Sequence, residues 1–259
     1  MSSITFLGTG GGRMVVLSQM RRSGGFWLRL DGVNILQDPG PGCLVMVHKH
    51  RFKPAALDAI ILSHRHIDHS NDVNVITEAM TGGGFQFRGC LIVPGDCLNN
   101  DPVVLQYVRP FTEITEIKEG MKIEIGNIKV TFPIRNRHPV ETYGAIYEFS
   151  SGRLGYIPDT EYFPELALAY KGVDFLVLNV VRMKTDKKVR HLNIDEAKEL
   201  INEIRPKKAV LTHFGLQVLK ASPSVQAKMV SEKTGVRVIA ATDGMTLDLE
   251  EKENLEKWI

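Results

Sequence analysis

Six consecutive residues, His64-Arg65-His66-Ile67-Asp68-His69, set three imidazoles beside one carboxylate. Neutral imidazole and carboxylate are the donors that suit zinc, manganese and iron. The run follows an apolar stretch, Ala59-Ile60-Ile61-Leu62-Ser63. Residues two apart diverge on a helix but share a face in extended chain. His64 and His66 therefore point together only where a strand feeds a turn, and the apolar stretch supplies that strand. Asp68 and His69 form a second pair, displaced toward a neighbouring position. Two donor pairs in one loop predict two adjacent metals. The chain holds 8 histidines in 259 residues, so three within this short run is a local excess that an ordinary polar loop does not explain.

Four more residues carry donors in telling places. His138 follows a predicted strand at 128–133. Asp159 closes the apolar strand Leu154-Gly155-Tyr156-Ile157, and His213 closes Ala209-Val210-Leu211-Thr212. His191 opens the turn before a predicted helix at 194–204. Strand ends are where side chains converge on a cleft in α/β architectures. Asp38, before the glycine turn Pro39-Gly40, reads either as a hydrogen-bond partner of a ligand histidine or as a turn cap. Arg135 and Arg137 flank His138 and are candidates for holding an anionic substrate. The basic segment 182–190 leads into His191 and reads either as a lid beside the metals or as a solvated loop. Gly8-Thr9-Gly10-Gly11-Gly12-Arg13 is not a dinucleotide fingerprint, because arginine stands where the last glycine is required. It reads as backbone that approaches the site closely.

In this order and spacing, the donors resemble those of the metallo-β-lactamase superfamily over residues 4 to about 244. The resemblance implies an α/β fold, an αβ/βα sandwich of two packed β-sheets with helices outside. It implies a dinuclear site: His64, His66 and His138 on one metal, Asp68, His69 and His213 on the other, and Asp159 bridging. The cofactors would be two divalent metal ions, zinc in the first instance, with manganese or iron suited to the same donors. Thr5-Phe6-Leu7-Gly8-Thr9-Gly10, then Arg22-Ser23-Gly24, resembles the branch of transfer-RNA 3′-processing nucleases and small cyclic phosphodiesterases. His191, 22 residues before His213, resembles the extra histidine of that branch. Two departures stand out. The nuclease carries a long arm between its third histidine and the bridging aspartate, whereas His138 and Asp159 are 21 residues apart. Its Asp-Cys-Gly-Glu-Gly signature reads Asp38-Pro39-Gly40-Pro41-Gly42 here. The compact spacing resembles a phosphonate-pathway cyclic phosphodiesterase, without that enzyme's structural-zinc cysteines.

Paired metals lower the pKa of bound water toward ~7 and clamp a substrate oxygen. The expected activity is hydrolysis of small or cyclic phosphodiesters, or of nucleic-acid ends, by hydroxide held at the metals. Asp68 would bind metal and orient the nucleophile, and His191 would protonate the leaving alcohol. Two other readings stay open: a thioester, lactone or amide hydrolase on the same scaffold, and a non-catalytic metal-binding protein.

The remaining composition narrows the setting. Hydrophobic content of 43% and charged content of 24% are those of a globular protein, read here as one domain over residues 1–259. A net charge of +2 gives no overall polyanion-binding field, so attraction for an anionic substrate must be local. Three cysteines, Cys43, Cys90 and Cys97, form no C-x-x-C pair, which argues for a reducing compartment. With no signal-like N-terminus and no apolar run of membrane-spanning length, the expectation is a cytoplasmic protein with no membrane partner. A homodimer is the default of symmetry statistics.

The elements that must position these residues divide in two. The first part reads as short strands at 4–7, 26–30, 33–37, 59–62, 91–93, 113–117, 122–125, 128–133, 145–149 and 153–157. Hairpin turns fall at Asp31-Gly32, Gly126-Asn127 and Ser151-Gly152, and helices at 41–50 and 71–80. The last part alternates: strand 175–179, helix 194–204 opened by Asn193, strand 209–211, helix 223–234, strand 236–240. His48, His50 and the tail 250–257 read as solvated surface, and Trp27 and Trp258 as packing residues.

Overall fold

Alternation of side chains along the strands decides the architecture. In the strand Phe175–Asn179 every residue is buried, with Phe175 and Val177 entering one core cluster and Leu176 and Leu178 another. A strand covered on both faces lies between two apolar layers. Ala59–Ile61 behaves alike: Ala59 and Ile61 join the first cluster and Ile60 joins a third. Three cores stacked around two sheets require helices on both outer faces.

The computed structural model describes residues 1–185 and 189–250 and has this arrangement. Its strands are β1 Ser3–Phe6, β2 Phe26–Leu30, β3 Val33–Gln37, β4 Ala59–Ile61, β5 Cys90–Pro94, β6 Glu113–Ile117 and β7 Lys122–Ile125. They continue with β8 Ile128–Thr131, β9 Ala145–Phe149, β10 Gly152–Ile157, β11 Phe175–Asn179, β12 Lys208–Thr212, β13 Arg237–Ala240 and β14 Thr246–Asp248. The helices are α1 Arg13–Ser18, α2 Cys43–Lys49, α3 Ile67–Ser70 and α4 Val73–Met80, then α5 Pro164–Ala169, α6 Ile194–Ile204, α7 Leu216–Lys220 and α8 Pro223–Thr234.

One seven-stranded sheet runs β14-β1-β2-β3-β4-β5-β6 and the other β13-β12-β11-β10-β9-β8-β7. The core between them joins Phe6, Phe26 and Ile35 of the first to Tyr147, Tyr156 and Val177 of the second. Val47 of α2 and Ile76 of α4 cover the first sheet outside, and Leu200 of α6 and Val230 of α8 cover the second. This is the expected αβ/βα sandwich.

Two parallel blocks bear on the site. Strands β3 to β6 are mutually parallel, as are β10 to β13. Hairpins build the rest. At the Asp31-Gly32 turn both residues have positive φ, 47° and 90°, as a two-residue hairpin loop demands. The helix expected from 71 begins at Val73, preceded by the single turn α3, and the one expected from Pro41 begins at Cys43. All three cysteines are free. No described helix is long and apolar enough to cross a membrane. Trp27 is buried and stacks on Phe52. Asp186, Lys187 and Lys188 of the basic segment, and the tail from 251 with Trp258, lie outside the described residues.

Candidate metal centre

The carboxyl ends of the parallel strands meet at one edge of the sandwich. Asp38 follows β3, Ser63 and His64 follow β4, Asp159 follows β10, Asn179 ends β11 and His213 follows β12. The chain leaves β4 extended through His66 and then enters α3, which carries Asp68 and His69. His138 arrives from the loop between β8 and β9, folded back by Asn136 N–H donating to Thr142 O at 2.8 Å.

Proton placement shows what the imidazoles can do. Ser63 Oγ donates to Asp38 Oδ2 at 2.7 Å, so it accepts from His64 Nδ1 at 3.0 Å. His69 Nδ1 donates to Asp38 Oδ2 at 3.0 Å, and His138 Nδ1 to the Arg190 carbonyl at 3.0 Å. In the neutral form that a metal requires of histidine, each of these rings commits its proton away from the centre and leaves Nε2 as a lone pair. His66 Nδ1 lies 3.1 Å from both His64 Nε2 and His138 Nε2. His69 Nε2 faces His213 Nε2 at 3.3 Å. Ring nitrogens this close to one another share a proton or a metal ion.

Three donor sets could each hold an ion: His64, His66 and His138; His64, His69 and Asp159; Asp68, His69 and His213. Within each set the donor atoms lie within 4.8 Å of one another. Asp159 connects them. Its Oδ2 is 4.0 Å from His64 Nε2 and 3.6 Å from His69 Nε2, and its Oδ1 is 3.5 Å from His213 Nε2. Asn179 Nδ2 donates to Asp159 Oδ1 at 3.0 Å and fixes the carboxylate plane. The donor set fits divalent zinc, manganese or iron.

Burial and neighbouring charge divide the protonation states. Burial pushes the pKa of His64 well below the ordinary histidine value, that of His66 down and that of His138 to about 4. Burial also opposes charge on His69, but Asp68, Asp159 and Asp38 outweigh it and hold that pKa well above the ordinary value. For Asp159, burial would raise the pKa, and the His213 and His191 charges overcome it and draw it well below the carboxylate range.

A domain model of the beta-lactamase superfamily matches residues 33–214. The chain belongs to the metallo-β-lactamase superfamily. An uncharacterized protein of Methanocaldococcus jannaschii is 32% identical over 257 residues, 95% of this chain and 94% of that one. The metallo-beta-lactamase fold protein YhfI from Bacillus subtilis matches with a TM-score of 0.79 at 19% identity, over 95% of this chain and 98% of its own. Human tRNase Z, short form, matches at 0.71 and 18% identity, over 96% and 100% of the two chains. A diphosphatase of the PhnP family matches at 0.68 and 21%, over 96% and 98%. At these identities the structural matches speak to the metallo-β-lactamase fold.

Around this donor cluster the sequence-based candidates fall into two groups. His64, His66, Asp68, His69, His138, Asp159, His191 and His213 are brought together. Asp38 is 1% exposed and is no turn cap: besides His69 and Ser63, its carboxylate accepts Gln37 Nε2 at 2.9 Å and Tyr156 O–H at 2.8 Å. Arg135 and Arg137 lie elsewhere. Neither lines the cavity beside the donors, and the Arg137 guanidinium sits 4.4 Å over the Phe163 ring and 3.4 Å from Glu165. That cavity, of about 600 Å³, takes its cationic wall from Arg13, Arg182 and Arg190. The glycine run does bring backbone close: a Cβ on Gly11 would stand 2.3 Å from the His213 ring. His191 Nδ1 is buried 3.3 Å from Asp159 Oδ2, off line for a hydrogen bond. Burial lowers its pKa, but the Asp159 charge prevails and leaves it raised. Sequence reasoning missed Asn179 and Tyr156. Asn179 had a signal, since it ends a buried strand as Asp159 and His213 do.

Proposed function

We propose that this member of the superfamily is a dinuclear metal-dependent phosphodiesterase acting on small or cyclic phosphodiesters or on nucleic-acid ends. The observation that carries the reading is the convergence of five imidazoles and two carboxylates in overlapping donor sets, beside a cavity with an arginine-bearing wall. His64, His66 and His138 would hold one ion, Asp68, His69 and His213 the other, with Asp159 between them. Bound there, the ions supply an activated water and Lewis-acid stabilisation of a phosphoryl oxygen.

The chain's own groups do the rest. Asp68, partly exposed on the cavity wall, accepts a proton from the attacking water and orients it. His191 lines the same cavity and is held protonated toward neutral pH by Asp159, so it donates to the leaving alkoxide. The arginines attract the anion. The names of two fold neighbours, a diphosphatase and a tRNase, are those of phosphoester enzymes and favour phosphorus over carbonyl substrates.

The deciding experiment is hydrolysis of bis(p-nitrophenyl) phosphate by metal-replete protein, with Asp159→Ala as control. Turnover abolished by the substitution is expected. Hydrolysis of thioesters or lactones by a fully loaded protein that leaves the phosphodiester untouched would overturn the reading.

A further inference from the structure

Among the described residues, one cation at the cavity is left without work. Arg190 pairs with Glu161 at 3.8 Å and presents its carbonyl to His138. Arg182 is tied through its backbone to Leu192 and Ile194. Arg13 also lines the cavity, is exposed, and makes no ion pair or hydrogen bond among the described residues. The carboxylates on this wall, Asp68 and Asp159, face imidazoles rather than guanidinium.

The backbone that carries Arg13 is fixed relative to the metal ligands. Gly11 N–H donates to Phe214 O at 3.1 Å, and Phe214 N–H donates to Thr9 O at 2.8 Å. Gly11 rests on the His213 ring so closely that no side chain fits there. The other side of α1 is anchored by Val15, which is fully buried. Arg13 is thus an unpaired guanidinium on a rigid base beside the metal donors. A cavity of about 600 Å³ exceeds what a single phosphate fills and suits an organic ligand. Its apolar wall, Ile67, Val181 and Val189, offers contact for such a body.

We propose that Arg13 forms a subsite for a second phosphate, so that the substrate is a phosphodiester of mononucleotide size bearing another phosphate on its organic body. The inference rests on the phosphodiesterase reading above. The donor cluster engages the scissile phosphate, and Arg13 receives the second in its planar fork. Arg182 and Arg190 line the same cavity and reinforce the field.

Binding tests this without relying on turnover. Zinc-loaded protein is titrated by calorimetry with thymidine 3′,5′-bisphosphate and with thymidine 5′-monophosphate. Wild type is expected to prefer the bisphosphate. Arg13→Ala should weaken the bisphosphate about tenfold, the loss of one charge-assisted contact, and the monophosphate less than twofold. Arg13→Lys should recover part of the loss, because charge returns without the fork. Lys228→Ala, which removes a cation from α8, should change neither. Equal weakening of both ligands by Arg13→Ala, no weakening, or no preference in wild type would overturn the subsite. Preserved bisphosphate selectivity in a protein that hydrolyses no phosphodiester would count against the phosphodiesterase reading and leave the Arg13 phosphate subsite standing.

Discussion

His191 lines the cavity with its Nδ1 3.3 Å from Asp159 Oδ2 and, unlike the other imidazoles of the centre, belongs to none of the three donor sets. His191→Ala should therefore keep the metal content of wild type and lose turnover about a hundredfold or more, chiefly on esters with poor leaving groups. Metal analysis and a leaving-group series check this, and equal losses on good and poor leaving groups would exclude the acid role. The buried imidazoles also set a pH signature for the metal-free protein. Burial holds His64, His66 and His138 below their unfolded value of 6.5, His138 at about 4. Between those values the unfolded chain binds the protons and the folded chain does not, so stability falls as pH drops below about 6.5. His69 and His191 are raised, so their contribution is complete below 6.5 and is lost as pH rises through their folded values. The two trends oppose each other on either side of the same point. Urea midpoints of metal-free protein should peak near pH ~6.5, and a midpoint that climbs steadily into the alkaline range would contradict the assignment.

At the scale of elements, α6 holds His191 in place. Asn193 accepts from the N–H groups of Asp195 and Glu196 at 2.8 and 3.0 Å, and Glu196 returns a bond to the Asn193 N–H. Asn193 Nδ2 also donates to Thr185 at 2.9 Å. Asn193→Ala should destabilise the protein by about 1 kcal/mol and, because His191 lies just upstream, reduce turnover with metal content unchanged. Unchanged turnover would make the cap structural only. This helix was legible in the sequence residue for residue, as were α8 and β11, because each carries a sustained pattern with its own start or stop signal. The motif strand β4 and the hairpin at Asp31-Gly32 were equally plain. Helices α1, α5 and α7, of five or six residues, are shorter than the window in which a helical period shows. Strand β14 takes its identity from a partner at the other end of the chain. At the candidate site, the convergence of these side chains could be read from residue type and strand-end position. The cationic wall could not: Arg137 is adjacent to His138 in the chain but turns to Phe163, and Arg13 is brought to the cavity by the bridge between Gly10 and Phe214.

For the whole molecule, the centre is a joint between the two sheets. His64, His66, Asp68 and His69 come from the first, and His138, Asp159 and His213 from the second. Asp38 reinforces the joint, since it leaves β3 yet accepts Tyr156 O–H from β10. Ions bound across such a joint stabilise the folded state by mass action. Free metal at about a thousand times its dissociation constant contributes ~4 kcal/mol. For a chain of this size that corresponds to a melting temperature about 10 °C higher. Stripping the metals with a chelator should lower the transition by that order, and returning zinc should restore it. A transition that does not move once the metals are gone would mean the sheets hold together without them.

Strand β14 pairs with β1 along Ser3–Asp248, Ile4–Leu247 and Thr5–Thr246. A ribosome makes β1 before, and β14 after, every other described strand. Throughout synthesis, then, the nascent first sheet carries β1 with one row of backbone donors and acceptors bare, an edge open to foreign strands. Biosynthetic order and spatial order are crossed, and the whole second sheet is translated before that edge closes. Such a chain gains little from folding half by half and depends on staying unaggregated until β14 has emerged.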